Sequence, residues 1–183
     1  MEDNESKVRC PGALATFNLL DAQALETGIK VPEQLVGIGF RCWLAGYDTC
    51  DIQCWETGWN YYSSVLGPQH AKAVVAELAC WVRCVHSCAA RKIEVHPHNC
   101  AGFCADECVA ISMVAASQHS ACPALRACAF TLLGTSEVDE VIDCAANFAS
   151  VLRDAGQILS QTSICDAAIL AQAERPISSA LRH

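Results

Sequence analysis

The spacing of the cysteines constrains this chain more than any other feature of the sequence. Three series recur at intervals of four or eight residues: Cys42, Cys50 and Cys54; Cys80, Cys84 and Cys88; and Cys100, Cys104 and Cys108. In an α-helix, residues four apart lie on one face with their Cβ atoms about 5–6 Å apart. Each series therefore predicts a helix that projects a row of sulfurs, and the three rows together predict nine sulfurs facing one interior seam.

The rest of the sequence predicts an all-α protein. Helix-forming residues are abundant, alternating β-branched residues are scarce, and Gly or Pro falls at helix-length intervals. We expect an antiparallel four-helix bundle core with additional terminal helices, in a single domain over residues 11–183 that follows a flexible tail at residues 1–10. The predicted helices cover about 13–27, 32–66, 68–91, 98–117, 123–133, 135–159 and 163–175.

Composition and charge exclude several classes of partner. Apolar residues make up 52% of the chain, which is far from the composition of a disordered protein. The net charge of −8, with only 12 Lys and Arg, argues against nucleic acid or an anionic membrane as the main partner. We expect no membrane span, since no run of 18 apolar residues occurs. Because the first nine residues are polar and acidic rather than signal-like, we expect a cytoplasmic protein.

The 14 cysteines in 183 residues favour binding of soft metal ions. Cytosolic thiols stay reduced, so metal or thiol chemistry is favoured over disulfides. The chain has no CxxC pair, which disfavours zinc and iron–sulfur centres. Cu(I) prefers thiolates, and rows of them could hold several ions per chain. The predicted ligands are the nine row cysteines and His98, which lies in the turn at one end of the predicted seam, although a solvated loop histidine is the alternative there.

The stretch HNCAGFCADECVAISMVAASQHSACPALRACAF, residues 98–130, resembles the cysteine-rich four-helix-bundle copper storage proteins. The resemblance covers mainly residues 76–130 and implies sequestration of Cu(I) on inward-facing thiolates. The implied ligands are Cys80, Cys84, Cys88, Cys100, Cys104 and Cys108, whereas Cys42, Cys50 and Cys54 match only in spacing. The chain also has four Trp and, in its last 50 residues, only Cys144 and Cys165. These departures imply a lower capacity.

Other interpretations remain open. Cysteine can be a small core residue, which is our reading of Cys144, or a reactive redox thiol. The helix that carries Trp43, Trp55, Trp59, Tyr61 and Tyr62 is either core or a homo-oligomer interface, which would suit a non-catalytic assembly protein. Asp106-Glu107 and Asp139-Glu140 are interpreted as solvated faces or helix-end charges. No nucleophile elbow, P-loop or dinucleotide motif occurs, so nothing in the sequence predicts an enzyme.

Overall fold

The computed structural model describes residues 29–97 and 99–164, and all regular structure in these ranges is helical. The helices are α1 (Val31–Thr49), α2 (Ile52–Cys88), α3 (Ala105–Gln118), α4 (Cys122–Leu133) and α5 (Asp139–Asp154), followed by a short 3-10 helix, Gln161–Ser163. The all-α prediction is confirmed for these residues, while the antiparallel four-helix bundle stays a prediction. The tail at 1–10, the helix predicted at 13–27, most of the helix predicted at 163–175, and His98 lie outside the described residues.

The helix predicted at 32–66 is divided at a position that the sequence did not predict. The chain breaks at Cys50, which takes a left-handed φ of 56°, and Asp51 then caps α2 by accepting a 2.9 Å hydrogen bond from the Gln53 N–H. At Gly67, where we predicted a helix end, the backbone is non-helical, with φ 76° and ψ 152°, so α2 consists of two helical segments that meet at a kink. Pro68 is tolerated there because it occupies the first turn after the bend.

The predicted start of the next helix, at His98, was also wrong. Helix α3 begins at Ala105, with Cys104 as its N-cap. The Glu107 carboxylate accepts a 2.8 Å hydrogen bond from the Cys104 N–H, which is one half of a capping box. The described parts of the chain between α2 and α3, residues 89–97 and 99–104, therefore contain no helix, and we call this segment the α2–α3 connection.

A buried arginine holds this connection in place. The Arg41 side chain is 2% exposed, and its Nε–H donates to Oε1 of the fully buried Glu107 at 2.6 Å. The other guanidinium N–H groups donate to the Glu107 Oε2 and to the carbonyls of Pro97, Cys100 and Gly102, at 2.6–3.3 Å. These bonds compensate the desolvation of the charge and fix the backbone of the connection against α1 and α3.

Helices α4 and α5 are each followed closely by a glycine with positive φ. Helix α4 ends at Leu133, as predicted, and Gly134 takes a left-handed φ of 67°. Helix α5 is shorter than the predicted 135–159. It begins at Asp139 and ends at Asp154, two residues before Gly156, whose φ is 77°. After this turn the chain is no longer helical until the short 3-10 helix.

The core contains buried apolar side chains from all five described helices. Within it the Trp81 ring stacks on Phe148 with centroids 5.3 Å apart, and the Phe40 centroid lies 5.5 Å from that of Trp81. Trp43 and Tyr62 extend this cluster between α1 and α2, as the core reading of the aromatic helix predicted. Trp59 remains partly exposed. None of the described helices is both long and apolar enough to span a membrane.

Candidate metal centre

The nine row cysteines do not share one seam. Twelve cysteines fall within the described residues, and none of these twelve is in a disulfide. Cys42 and Cys54 are buried on α1 and α2, and Cys50 is exposed at the break between them. Cys100 and Cys104 precede α3 and only Cys108 lies on it, so this series is not a helical row. The expected rows fail at both places because the helices break where the sequence predicted continuity.

The series on α2 keeps its helical geometry and faces α5. Cys80, Cys84 and Cys88 line one side of an open groove of about 420 Å³ between the two helices, and Cys144 and Glu140 of α5 line the other. We call this the thiol groove. Its remaining lining residues are Glu77, Arg83, Ser87 and Asn147. The groove brings together all three members of one predicted row and adds a fourth sulfur, from a helix that is distant in sequence but packs against α2.

Three donor atoms in the groove are close enough to share one ion. The Sγ atoms of Cys84 and Cys88 lie 4.0 Å apart, and one donor atom from each of Cys84, Cys88 and Glu140 lies within 4.8 Å of the other two. Cys144 lies close enough to Cys84 for the two thiols to influence each other's ionisation. Cys84 is 8% exposed, Cys88 and Cys144 are half-buried, and Cys80 is exposed. The exposure of the groove cysteines therefore decreases from Cys80, through Cys88 and Cys144, to the buried Cys84.

The groove disfavours a free thiolate. Burial raises the pKa of Cys84, and the neighbouring Cys144 and Cys88 raise it further. Burial is also the main cause of the raised pKa of Cys144, with Glu140 adding negative charge. Both thiols are therefore protonated at neutral pH. A soft cation would replace those protons and neutralise the charge that makes ionisation costly.

The remaining thiols form smaller groups. Burial raises the pKa of Cys42 to about 12, against the opposing effect of Arg41, and Cys54 lies close enough to add to the rise. The Cys100 Sγ lies 3.4 Å from the His96 Nδ1, and the Cys104 thiol donates to the Glu94 carbonyl at 3.1 Å. Within the residues the structure describes, only Cys84, Cys88 and Glu140 form a group of three close donors.

Sequence reasoning missed the α5 side of the groove. Cys144 was interpreted as a core residue and Glu140 as a helix-end charge, yet both line the site. Their spacing of four residues, which places them on one face of α5, is a signal that the sequence does contain. What it does not show is that this face packs against the cysteine face of α2.

No protein-family model, curated protein or solved structure matches this chain. The resemblance to copper storage proteins therefore stays a prediction.

Proposed function

We propose that the protein binds Cu(I) in the thiol groove and serves in the storage or buffering of this ion. The observation that carries the proposal is the 4.0 Å approach of the Cys84 and Cys88 sulfurs on α2, in a groove that Cys144 of α5 also lines. Cu(I) is a soft cation that selects thiolate ligands, and the groove sulfurs can satisfy it without a harder donor. The sulfurs of Cys84, Cys88 and Cys144 suit one ion per chain in this groove.

The surrounding charge supports a cation. Burial is the main cause of the raised pKa of Cys144, and the negative charges of Glu140 and Asp143 raise it further. Acidic neighbours of this kind oppose a thiolate but attract a positive ion, and the whole chain carries a net charge of −8. Binding would release protons from Cys84 and Cys144 in exchange for the metal.

The thiol redox alternative has less support. Reactive redox cysteines have a lowered pKa in an electropositive setting. In the groove the pKa values of Cys84 and Cys144 are raised instead. The proposal also includes a complete four-helix bundle and the binding of several ions per chain. The buried Cys42 and Cys54 are the candidate ligands for ions beyond the one in the thiol groove.

Anaerobic titration of the reduced protein against a strong Cu(I) chelator tests the proposal. We expect at least one tightly bound Cu(I) per chain, and loss of that ion in a variant carrying Cys84→Ser, Cys88→Ser and Cys144→Ser. The matched control is Cys122→Ser, an exposed thiol outside the groove, which should bind as the parent does. Circular dichroism checks that each variant is folded.

Two results would contradict the proposal. One is the absence of tight Cu(I) binding by the folded parent protein. The other is an unchanged stoichiometry in the folded triple variant. A parallel titration with Zn(II) is the metal control, and binding of zinc in preference to Cu(I) at these three cysteines would overturn the assignment of the ion, because Cys84, Cys88, Cys144 and Glu140 could also supply a four-ligand zinc site.

A further inference from the structure

Cys80 differs from the other sulfurs of the thiol groove by its exposure. It lies one helical turn before Cys84 on the same face of α2, and it is open to solvent where Cys84 is buried. It also lies close enough to Cys144 to influence its ionisation. Cys80 therefore stands at the exposed end of the cysteine series on α2, in the same groove as Cys144.

Arg83 brings a positive charge to the same part of the groove. It is exposed, lies three residues after Cys80 on α2, and lines the groove with it. The groove is otherwise bordered by Glu77 and Glu140, which would repel an anion. A single cation beside the exposed thiol gives an anionic molecule one favourable place to approach.

We propose that Cys80 first receives Cu(I), delivered as the anionic complex of a small thiol held near Arg83, and passes it to the inner sulfurs. This inference rests on the proposed function and names the form in which the metal arrives. A small-molecule donor fits because the groove has a volume of only about 420 Å³ and Cys84 within it is buried.

The transfer is a ligand exchange with no change in oxidation state. The Cys80 sulfur forms a bond to Cu(I) in a complex with two donor thiolates, one donor Cu–S bond breaks, and the departing thiolate takes the Cys80 proton. Cys144 then displaces the second donor thiolate in the same way, and that thiolate leaves with the Cys144 proton. When Cys84 replaces Cys80 on the metal, the proton of Cys84 returns to the Cys80 sulfur. Each step keeps the total charge constant.

Stopped-flow uptake of Cu(I) from its glutathione complex tests the proposal, followed by the ultraviolet absorption of the Cu(I)–thiolate bonds. For Cys80→Ser we expect the rate constant to fall by about tenfold or more, while the equilibrium affinity measured against a chelator stays within about twofold of the parent value. Cys122→Ser, which changes an exposed thiol outside the groove, should match the parent in both measurements. For Arg83→Gln we expect slower uptake at low ionic strength, and the difference should disappear at about 1 M salt, where charges are screened beyond about 3 Å.

The outcomes separate this inference from the proposed function. If Cys80→Ser takes up copper at the parent rate, Cys80 is not the receiving residue and the inference is overturned, although the storage proposal stands. If Cys80→Ser loses affinity and keeps its rate, Cys80 is a permanent ligand, which also overturns it. Absence of equilibrium binding by the parent protein would instead refute the storage proposal itself.

Discussion

Replacement of Arg41 by methionine tests the most heavily buried charge pair in the described residues. Methionine keeps much of the apolar stem but leaves the fully buried Glu107 carboxylate without its cation. Removing one partner of such a pair costs about 3–5 kcal/mol of unfolding free energy. The loss of the bonds to the carbonyls of Cys100 and Gly102 acts in the same direction. Since small domains are stable by about 5–15 kcal/mol, the effect should be large.

The matched control is the surface pair of Arg126 and Asp139. Its N–O distance of 2.8 Å resembles that of the buried pair, but both side chains are largely exposed. Arg126→Met should cost at most about 1 kcal/mol, because solvent and salt screen the attraction. Chemical denaturation followed by circular dichroism measures both variants. Equal losses for Arg41→Met and Arg126→Met would refute the reasoning from burial.

A second test asks whether the cost of Arg41→Met comes from leaving the Glu107 carboxylate unpaired. The double variant Arg41→Met, Glu107→Met removes both charges and should be less destabilised than Arg41→Met alone, because no buried carboxylate remains uncompensated. If the double variant is the less stable of the two, the cost of the single change did not come from the unpaired charge of Glu107.

Three further predictions concern pH and packing. Because burial raises the pKa of Cys84 and Cys144, Cu(I) binding should release a proton from each, and the apparent binding constant should rise by at least about a hundredfold per pH unit near neutrality; a pH-independent constant from chelator competition would contradict this. The folded-state pKa of Cys42, about 12, lies above its ordinary value of 9.0, so its contribution to stability is complete below pH 9 and is lost as the pH rises toward 12. The difference in unfolding free energy between the parent and Cys42→Ala should therefore shrink by about 1.4 kcal/mol from pH 8 to pH 10, and a constant difference would refute it. Gly58→Ala should cost about 1–3 kcal/mol, because its Cβ would overlap an indole ring of α1, whereas Gly102→Ala meets open space and should be near neutral in the same denaturation assay.

Helical content could be predicted from the sequence, but helix boundaries could not wherever unusual caps occur. Gly67-Pro68 predicts a helix end, and the backbone at Gly67 is non-helical at the kink of α2. The true break, at Cys50, relies on a non-glycine residue with positive φ. The start of α3 uses Cys104 in a capping position where Ser, Thr, Asp or Asn is the usual signal. Each error arose because a cysteine, Cys50 or Cys104, occupies a helix-end position that propensities assign to other residue types.

The candidate site was predictable where it depends on local geometry. Cys84 and Cys88 lie on one face of α2 because a spacing of four fixes that relation within any helix. Cys144 could not be predicted, because its position depends on how α5 packs against α2. The series from Cys100 to Cys108 failed since the α2–α3 connection follows the hydrogen bonds of Arg41, a long-range interaction that spacing does not encode.

The origin of the groove sulfurs on two helices has a mechanical consequence. Cys84 and Cys88 belong to α2, whereas Cys144 belongs to α5, which is far from it in the sequence. An ion held by all three would act as a removable crosslink between these two segments, closing a long stretch of chain that includes α3 and α4. Because such a ligand binds the native state in preference to the unfolded one, the melting temperature itself would report how fully the protein is loaded.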